Sequence, residues 1–211
     1  MKIRKFVFNF FQVNTYICYF ENNNSIIIDP GISTNEEFEI FNNFISSNNL
    51  LISKVFLTHL HIDHLLGLFF LSSKYTFETY FNFEDIYLNK FSKELSEMYG
   101  LNFIEPNGID LKQIKSLDFE NEVIEIIETP GHSKGHVVYF FRNSKLLFTG
   151  DTLFKNSIGR TDLPGGNYTQ LITSIKTKIL NLCDNILIYP GHGENSDILS
   201  EKNFNPYLSL K

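Results

Sequence analysis

Tryptophan is absent from this chain, and cysteine occurs only twice. Cys18 and Cys183 lie far apart, so no disulfide framework is available, which fits a reducing compartment. Their strand-like and helix-end settings predict two buried free thiols. No run of Lys and Arg is present, and the net charge is −6. A phosphate-backbone partner is therefore not favoured, and no nucleic-acid binding is expected. Apolar runs are all short of the roughly 20 residues that a membrane helix needs. The N-terminal run Phe6 to Phe11 is broken by Asn9 and followed by Gln12, Asn14 and Thr15, with no small-residue cleavage site. It reads as a first strand rather than a signal peptide. The expectation is a soluble cytoplasmic protein.

What is present is ordinary globular material. The hydrophobic fraction of 43% and the charged fraction of 20% suit a soluble fold, and 22 Phe with 10 Tyr give a Phe-rich core. The 211 residues suffice for one generous domain or two small ones. No low-complexity linker and no repeat of 20–50 residues divides them, so one domain over 1–211 is expected.

Residues 2–8, 15–20 and 25–28 read as strands. Thr34-Asn35-Glu36-Glu37 has the form of a capping box, and Phe38, Phe41 and Ile45 follow at helical spacing, predicting a helix over 34–47. A buried strand is expected over 52–57 and a helix from there to about Ser73. A short strand near 75–80 and a helix over 84–99, stopped by Gly100, come next. Residues 101–122 read as loop with one or two short strands. A strand over 122–128, a hairpin of 136–141 with 145–149, a glycine-rich loop over 152–167, a helix over 168–182, a strand over 186–189 and a short last helix complete the chain. The strands fall into two groups, which predicts two sheets packed together with helices outside, an α/β fold.

Chemistry concentrates at strand ends. Thr58-His59-Leu60-His61-Ile62-Asp63-His64 follows the strand at 52–57 and offers three imidazoles and a carboxylate. A lone histidine beside a strand is usually a core or surface residue. Four donors this close are a metal motif, and the N and O donor set suits zinc, iron or manganese. Asp29, His132, Asp151 and His192 each follow a further strand, and His136 completes the six histidines of the chain. Ligands in layered α/β proteins gather at such strand ends.

The order Asp29, then His59-x-His61-x-Asp63-His64, His132, Asp151 and His192 resembles the five motifs of the metallo-β-lactamase superfamily. Thr129-Pro130-Gly131-His132-Ser133-Lys134-Gly135-His136 and Gly150-Asp151-Thr152-Leu153-Phe154 are similar to the glyoxalase II-like (hydroxyacylglutathione hydrolase-like) branch. Ser157-Ile158-Gly159-Arg160-Thr161-Asp162 resembles its short single-domain members. The resemblance implies a four-layered αββα sandwich. It also implies two divalent metal ions, zinc first, with iron or manganese as alternatives. His59, His61 and His132 would hold one ion, Asp63, His64 and His192 the other, and Asp151 would bridge them. Asp29 and His136 would support these ligands from behind. Arg160 either pairs with Asp162 or faces an anionic substrate. The C-terminal helical domain of full-length glyoxalase II, and the tyrosines that contact glutathione, have no counterpart here, so glutathione is not implied as the thiol.

The activity implied is hydrolysis of small anionic thioesters of hydroxyacyl-thiols. Asp63 and Asp151 would be the catalytic carboxylates, with a bridging hydroxide as nucleophile. The competing expectation is an iron-dependent persulfide dioxygenase using His59, His132 and Asp151. No membrane partner is expected, and the oligomeric state is not readable.

Overall fold

The first apolar run pairs back on itself. Strands β1 (Lys2–Phe8) and β2 (Val13–Tyr19) form an antiparallel hairpin, and β3 (Asn24–Ile28) continues it. Helix α1 (Asn35–Ser47) then carries the chain over to β4 (Leu51–Phe56), which lies parallel to β3. Two short helices, α2 (Ile62–Leu65) and α3 (Gly67–Ser72), lead to β5 (Glu78–Phe81). Helix α4 (Leu88–Tyr99) and β6 (Ile109–Asp110) close a six-stranded sheet of order β1-β2-β3-β4-β5-β6. Gly100 ends α4 in the left-handed conformation at φ 64°, as its position after the helix predicts.

The later strands make a second sheet. β7 (Ser116–Phe119), β8 (Glu122–Glu128), β9 (Val137–Phe141) and β10 (Leu146–Gly150) run antiparallel in turn. The loop expected over 152–167 holds a small hairpin of its own, β11 (Leu153–Phe154) with β12 (Ser157–Ile158). Helix α5 (Tyr168–Ser174) follows and passes into a π-helical turn, Ile175–Ile179. β13 (Leu187–Pro190), β14 (Ser196–Asp197) and α6 (Ile198–Phe204) finish the unit, giving the order β14-β13-β10-β9-β8-β7.

This computed structural model describes residues 1–208, so the last three residues of the expected domain 1–211 lie outside the described ones. The chain divides into two compact units: Met1–Phe81 with Ile86–Asp110, and Asn82–Asp85 with everything from Leu111 onward. Each has its own core. In the first, Phe6, Phe41, Val55, Leu57, Leu65 and Phe81 pack in one buried cluster. In the second, Val138, Leu147, Leu171, Ile175, Ile188 and Ile198 do so. β9 is buried along its whole length, which explains its unbroken apolar sequence. Cys18 is a buried free thiol, whereas Cys183 is free but exposed. The second thiol departs from expectation because the helical stretch ends before it, at Ile179. No helix among the described residues is long and apolar enough to cross a membrane.

Candidate metal centre

Sheet direction sets the first half of the site. β3, β4 and β5 are mutually parallel, so the residues after β3 and β4 emerge at one sheet edge. Asp29 emerges from β3 with φ 50°, a left-handed conformation uncommon outside glycine, and is 2% exposed. Its Oδ1 accepts the Thr58 amide N–H at 2.8 Å, and its Oδ2 accepts the Thr58 hydroxyl at 2.8 Å. Thr58 Oγ1, having donated its proton, lies 3.0 Å from His59 Nδ1 and accepts from it. Asp29 Oδ2 also lies 3.0 Å from Nδ1 of the buried His64. One carboxylate thus orients two imidazoles, His64 directly and His59 through Thr58. In His59 Nδ1 is engaged by Thr58 and carries the proton, so its lone pair sits on Nε2.

The ring centroid of His59 lies 4.7 Å from that of His61 and 4.2 Å from that of His64. Asp63 and His64 fall in the first turn of α2 rather than in the loop. Asp63 Oδ2 is 3.6 Å from His64 Nε2. The backbone of this segment is anchored by Asn9, whose side-chain amide donates to Asp63 O at 3.0 Å and to Gly31 O at 2.8 Å.

The second unit repeats the logic. β8 and β10 are both antiparallel to β9, and β10 is parallel to β13, so β8, β10 and β13 end at one edge. His132, Asp151 and His192 follow those ends. The turn before His132 needs Gly131: its φ is 141°, and a Cβ there would lie 2.3 Å from the Leu171 backbone. His132 Nδ1 donates to Arg160 O at 2.7 Å, again leaving Nε2 for a ligand. The chain can pass that close only because residue 159 is glycine, since a Cβ there would sit 1.8 Å from Asp151 O. His132 Nε2 and His192 Nε2 each lie 3.6 Å from Asp151 Oδ2. Fully buried His136 supports Asp151 from the backbone side, its Nε2 accepting the Asp151 amide N–H at 3.0 Å. Its Nδ1 must then donate, and Thr129 Oγ1 at 3.1 Å and Thr152 Oγ1 at 3.0 Å are there to accept.

These residues fit a metal ion. Separations of 3.6 Å are too long for hydrogen bonds. They match what a tetrahedral ion imposes, because bonds of about 2.0–2.2 Å put neighbouring ligand atoms roughly 3.3–3.6 Å apart. Imidazole and carboxylate donors with this support suit zinc, iron or manganese. Within the first unit the fold brings together His59, His61, Asp63 and His64, and within the second His132, Asp151 and His192. Arg160 is turned to Asp162, its Nε donating to Oδ1 at 2.8 Å and its Nη2 to Oδ2 at 2.7 Å. That fork, with the Asp162 backbone amide, draws the exposed Asp162 carboxyl down to about 2. Sequence reasoning missed Thr58, Thr129, Thr152 and Asn9. Thr58 and Thr152, which adjoin His59 and Asp151, had a signal in their positions, and Thr129 stands in the same motif as His132.

A family model for the metallo-beta-lactamase superfamily matches residues 8–192. The chain is 36% identical over 205 residues to the hydroxyacylglutathione hydrolase GloC of Haemophilus influenzae, covering 95% of both chains. Among solved structures, the BLEG-1 B3 metallo-beta-lactamase aligns over 99% of this chain and 100% of its own, with TM-score 0.88 and 31% identity. TTHA1623, solved in a di-iron-bound form, aligns over 97% of this chain and 100% of its own, with TM-score 0.83 and 26% identity.

Proposed function

This chain belongs to the metallo-beta-lactamase superfamily, with its α/β fold and its metal-binding hydrolase character, and from that premise we propose that it hydrolyses thioesters of hydroxyacyl-thiols. The observation that carries the reading is the occupied Nδ1 of His59 and His132, which presents Nε2 of each as a ligand atom. In this reading residues 1–211 act as one catalytic domain. His59, His61 and His132 would hold one divalent ion, Asp63, His64 and His192 would hold a second, and Asp151 would contribute its carboxylate to both. Two such ions would supply Lewis acidity and bring the pKa of a bound water near neutrality.

The chain's own residues do the rest. Asp151 keeps its carboxylate aimed because His136 holds its amide N–H. Asp63, in the first turn of α2, would keep its second carboxylate oxygen as acceptor for a proton of the attacking water. A thiol, with an ordinary pKa near 8.5, departs readily as thiolate, so no separate general acid is required. Two divalent cations, less two aspartates and one hydroxide, leave about one positive charge, which favours a small anionic thioester. Zinc is the first choice of metal, with iron or manganese next. The identity to a relative named hydroxyacylglutathione hydrolase supports this substrate class over a β-lactam.

The test is steady-state kinetics on a panel of thioesters that includes lactoylglutathione. A chromogenic β-lactam, and oxygen uptake on glutathione persulfide, run in parallel with zinc-, iron- and manganese-loaded protein. Thioester cleavage is expected, and His59→Ala and His132→Ala should each lose metal and activity together. Oxygen consumption by the iron form without thioester cleavage by any form would replace this reading with the persulfide dioxygenase.

A further inference from the structure

The turn that carries His132 is held by a carboxylate outside the ligand set. Asp85 ends a short 3-10 turn, Phe83–Asp85, in the segment that belongs to the second unit. It is 1% exposed. Its Oδ2 accepts the Ser133 hydroxyl at 2.6 Å, and its Oδ1 accepts the Gly135 amide N–H at 2.6 Å. The fit at Gly135 is close, since a Cβ there would lie 2.8 Å from Asp85 N and 3.0 Å from Asp85 Oδ1. Ser133 returns the constraint to the other side of the ligand, its carbonyl accepting the Gly131 amide N–H at 3.0 Å. His132 therefore sits in a turn whose following residues are fixed by Asp85 and whose preceding residue is fixed by Ser133. At the end of the same turn His136 holds the Asp151 amide.

A buried carboxylate is costly unless its oxygens are bonded. Here both oxygens accept from the one turn that joins His132 to His136. We propose that Asp85 is a positioning residue for the metal centre: by fixing Ser133 and Gly135 it sets the direction in which His132 presents Nε2. This rests on the metal-site reading, not on the identity of the substrate. Losing the carboxylate would strand a buried hydroxyl and a buried amide, and the turn would relax to resolvate them.

The test compares Asp85→Ala, Asp85→Asn and Ser133→Ala with the parent chain. Zinc affinity is measured by competition with a chelator, and the visible absorption of the cobalt-substituted protein reports ligand geometry. Supports of this kind typically contribute 10–100-fold in metal affinity. Asp85→Ala should lose affinity in that range, with an altered cobalt spectrum. Asp85→Asn should recover most of it, because its amide oxygen can still accept from Gly135 while its NH2 donates to Ser133 Oγ. Ser133→Ala, which removes one of the two bonds, should lose several-fold, and it carries the test if Asp85→Ala does not fold. Where thioesters are turned over, kcat should fall more than KM rises. Lower thermal stability with parental zinc affinity and cobalt spectrum in Asp85→Ala, or in Ser133→Ala if that variant alone folds, would make Asp85 a structural residue only and overturn the proposal. Neither binding readout uses the substrate, so failure of the thioester assay leaves this test intact. A parent chain that binds no metal would remove both readings.

Discussion

Asp29 does two jobs. Its backbone makes the left-handed exit from β3, and its carboxylate orients two imidazoles. The two roles separate by mutation. Asp29→Ala should weaken zinc binding by roughly 10–100-fold, because both His59 and His64 lose their orienting contact. Thr58→Val should lose less, because it cuts only the relay to His59 and leaves the 3.0 Å contact between Asp29 and His64. Chelator competition gives both values. Parental affinity in Asp29→Ala would leave it as a turn residue and nothing more. Arg160 shows the opposite case. Its guanidinium is already forked onto Asp162, so any anion it meets must compete with a carboxylate.

At the scale of elements, α1 and the metal loop are joined through one short path. Thr34 caps the helix as its sequence predicts, with Oγ1 accepting the Glu37 amide N–H at 3.2 Å. The return half of the capping box is altered. Glu37 accepts from the Ser33 amide at 2.7 Å and from the Asn9 amide at 2.6 Å, rather than reaching back to Thr34. Asn9 in turn holds the Asp63 carbonyl. Thr34→Ala should therefore cost about 1 kcal/mol in urea unfolding, as an ordinary lost cap. Glu37→Ala should cost more, about 1.5–3 kcal/mol, because a charged acceptor of several bonds is removed. Equal losses would deny Glu37 its role in tying α1 to the Asn9 turn. Helix α4 teaches a different point. It buries Leu88, Asn89, Ser92 and Ser96, and leaves Phe91, Leu95, Met98 and Tyr99 exposed. Helical spacing identifies such a segment without telling which side the fold covers.

For the whole molecule, each compact unit carries candidate metal-binding side chains of its own, so stability and metal content should be linked. A ligand at about 100 times its Kd adds roughly 2.7 kcal/mol to the folded state. In a chain of this size that corresponds to a Tm change of roughly 5–10 °C. Chelation followed by dialysis should lower Tm by about that amount, and returning zinc should restore it. Tm unchanged in protein shown by elemental analysis to have lost its metal would break the link.

The sequence by itself determined which side chains carry metal-competent donor atoms and that they follow strand ends. Both are local properties: residue type, the apolar run before it, and the turn residue beside it. It also placed most strands and α1 correctly, because period and capping are local too. The helix expected over 84–99 begins only at Leu88. The residues before it form a separate 3-10 turn, Phe83–Asp85, whose Asp85 side chain is bound to Ser133, 48 residues away. The orientation of each ligand was likewise decided only by the fold. His132 depends on a carbonyl 28 residues distant, and Thr58 on a carboxylate 29 residues distant. Such partners are chosen by strand register and by the direction in which strands end, and neither is written in the residues next to the ligand.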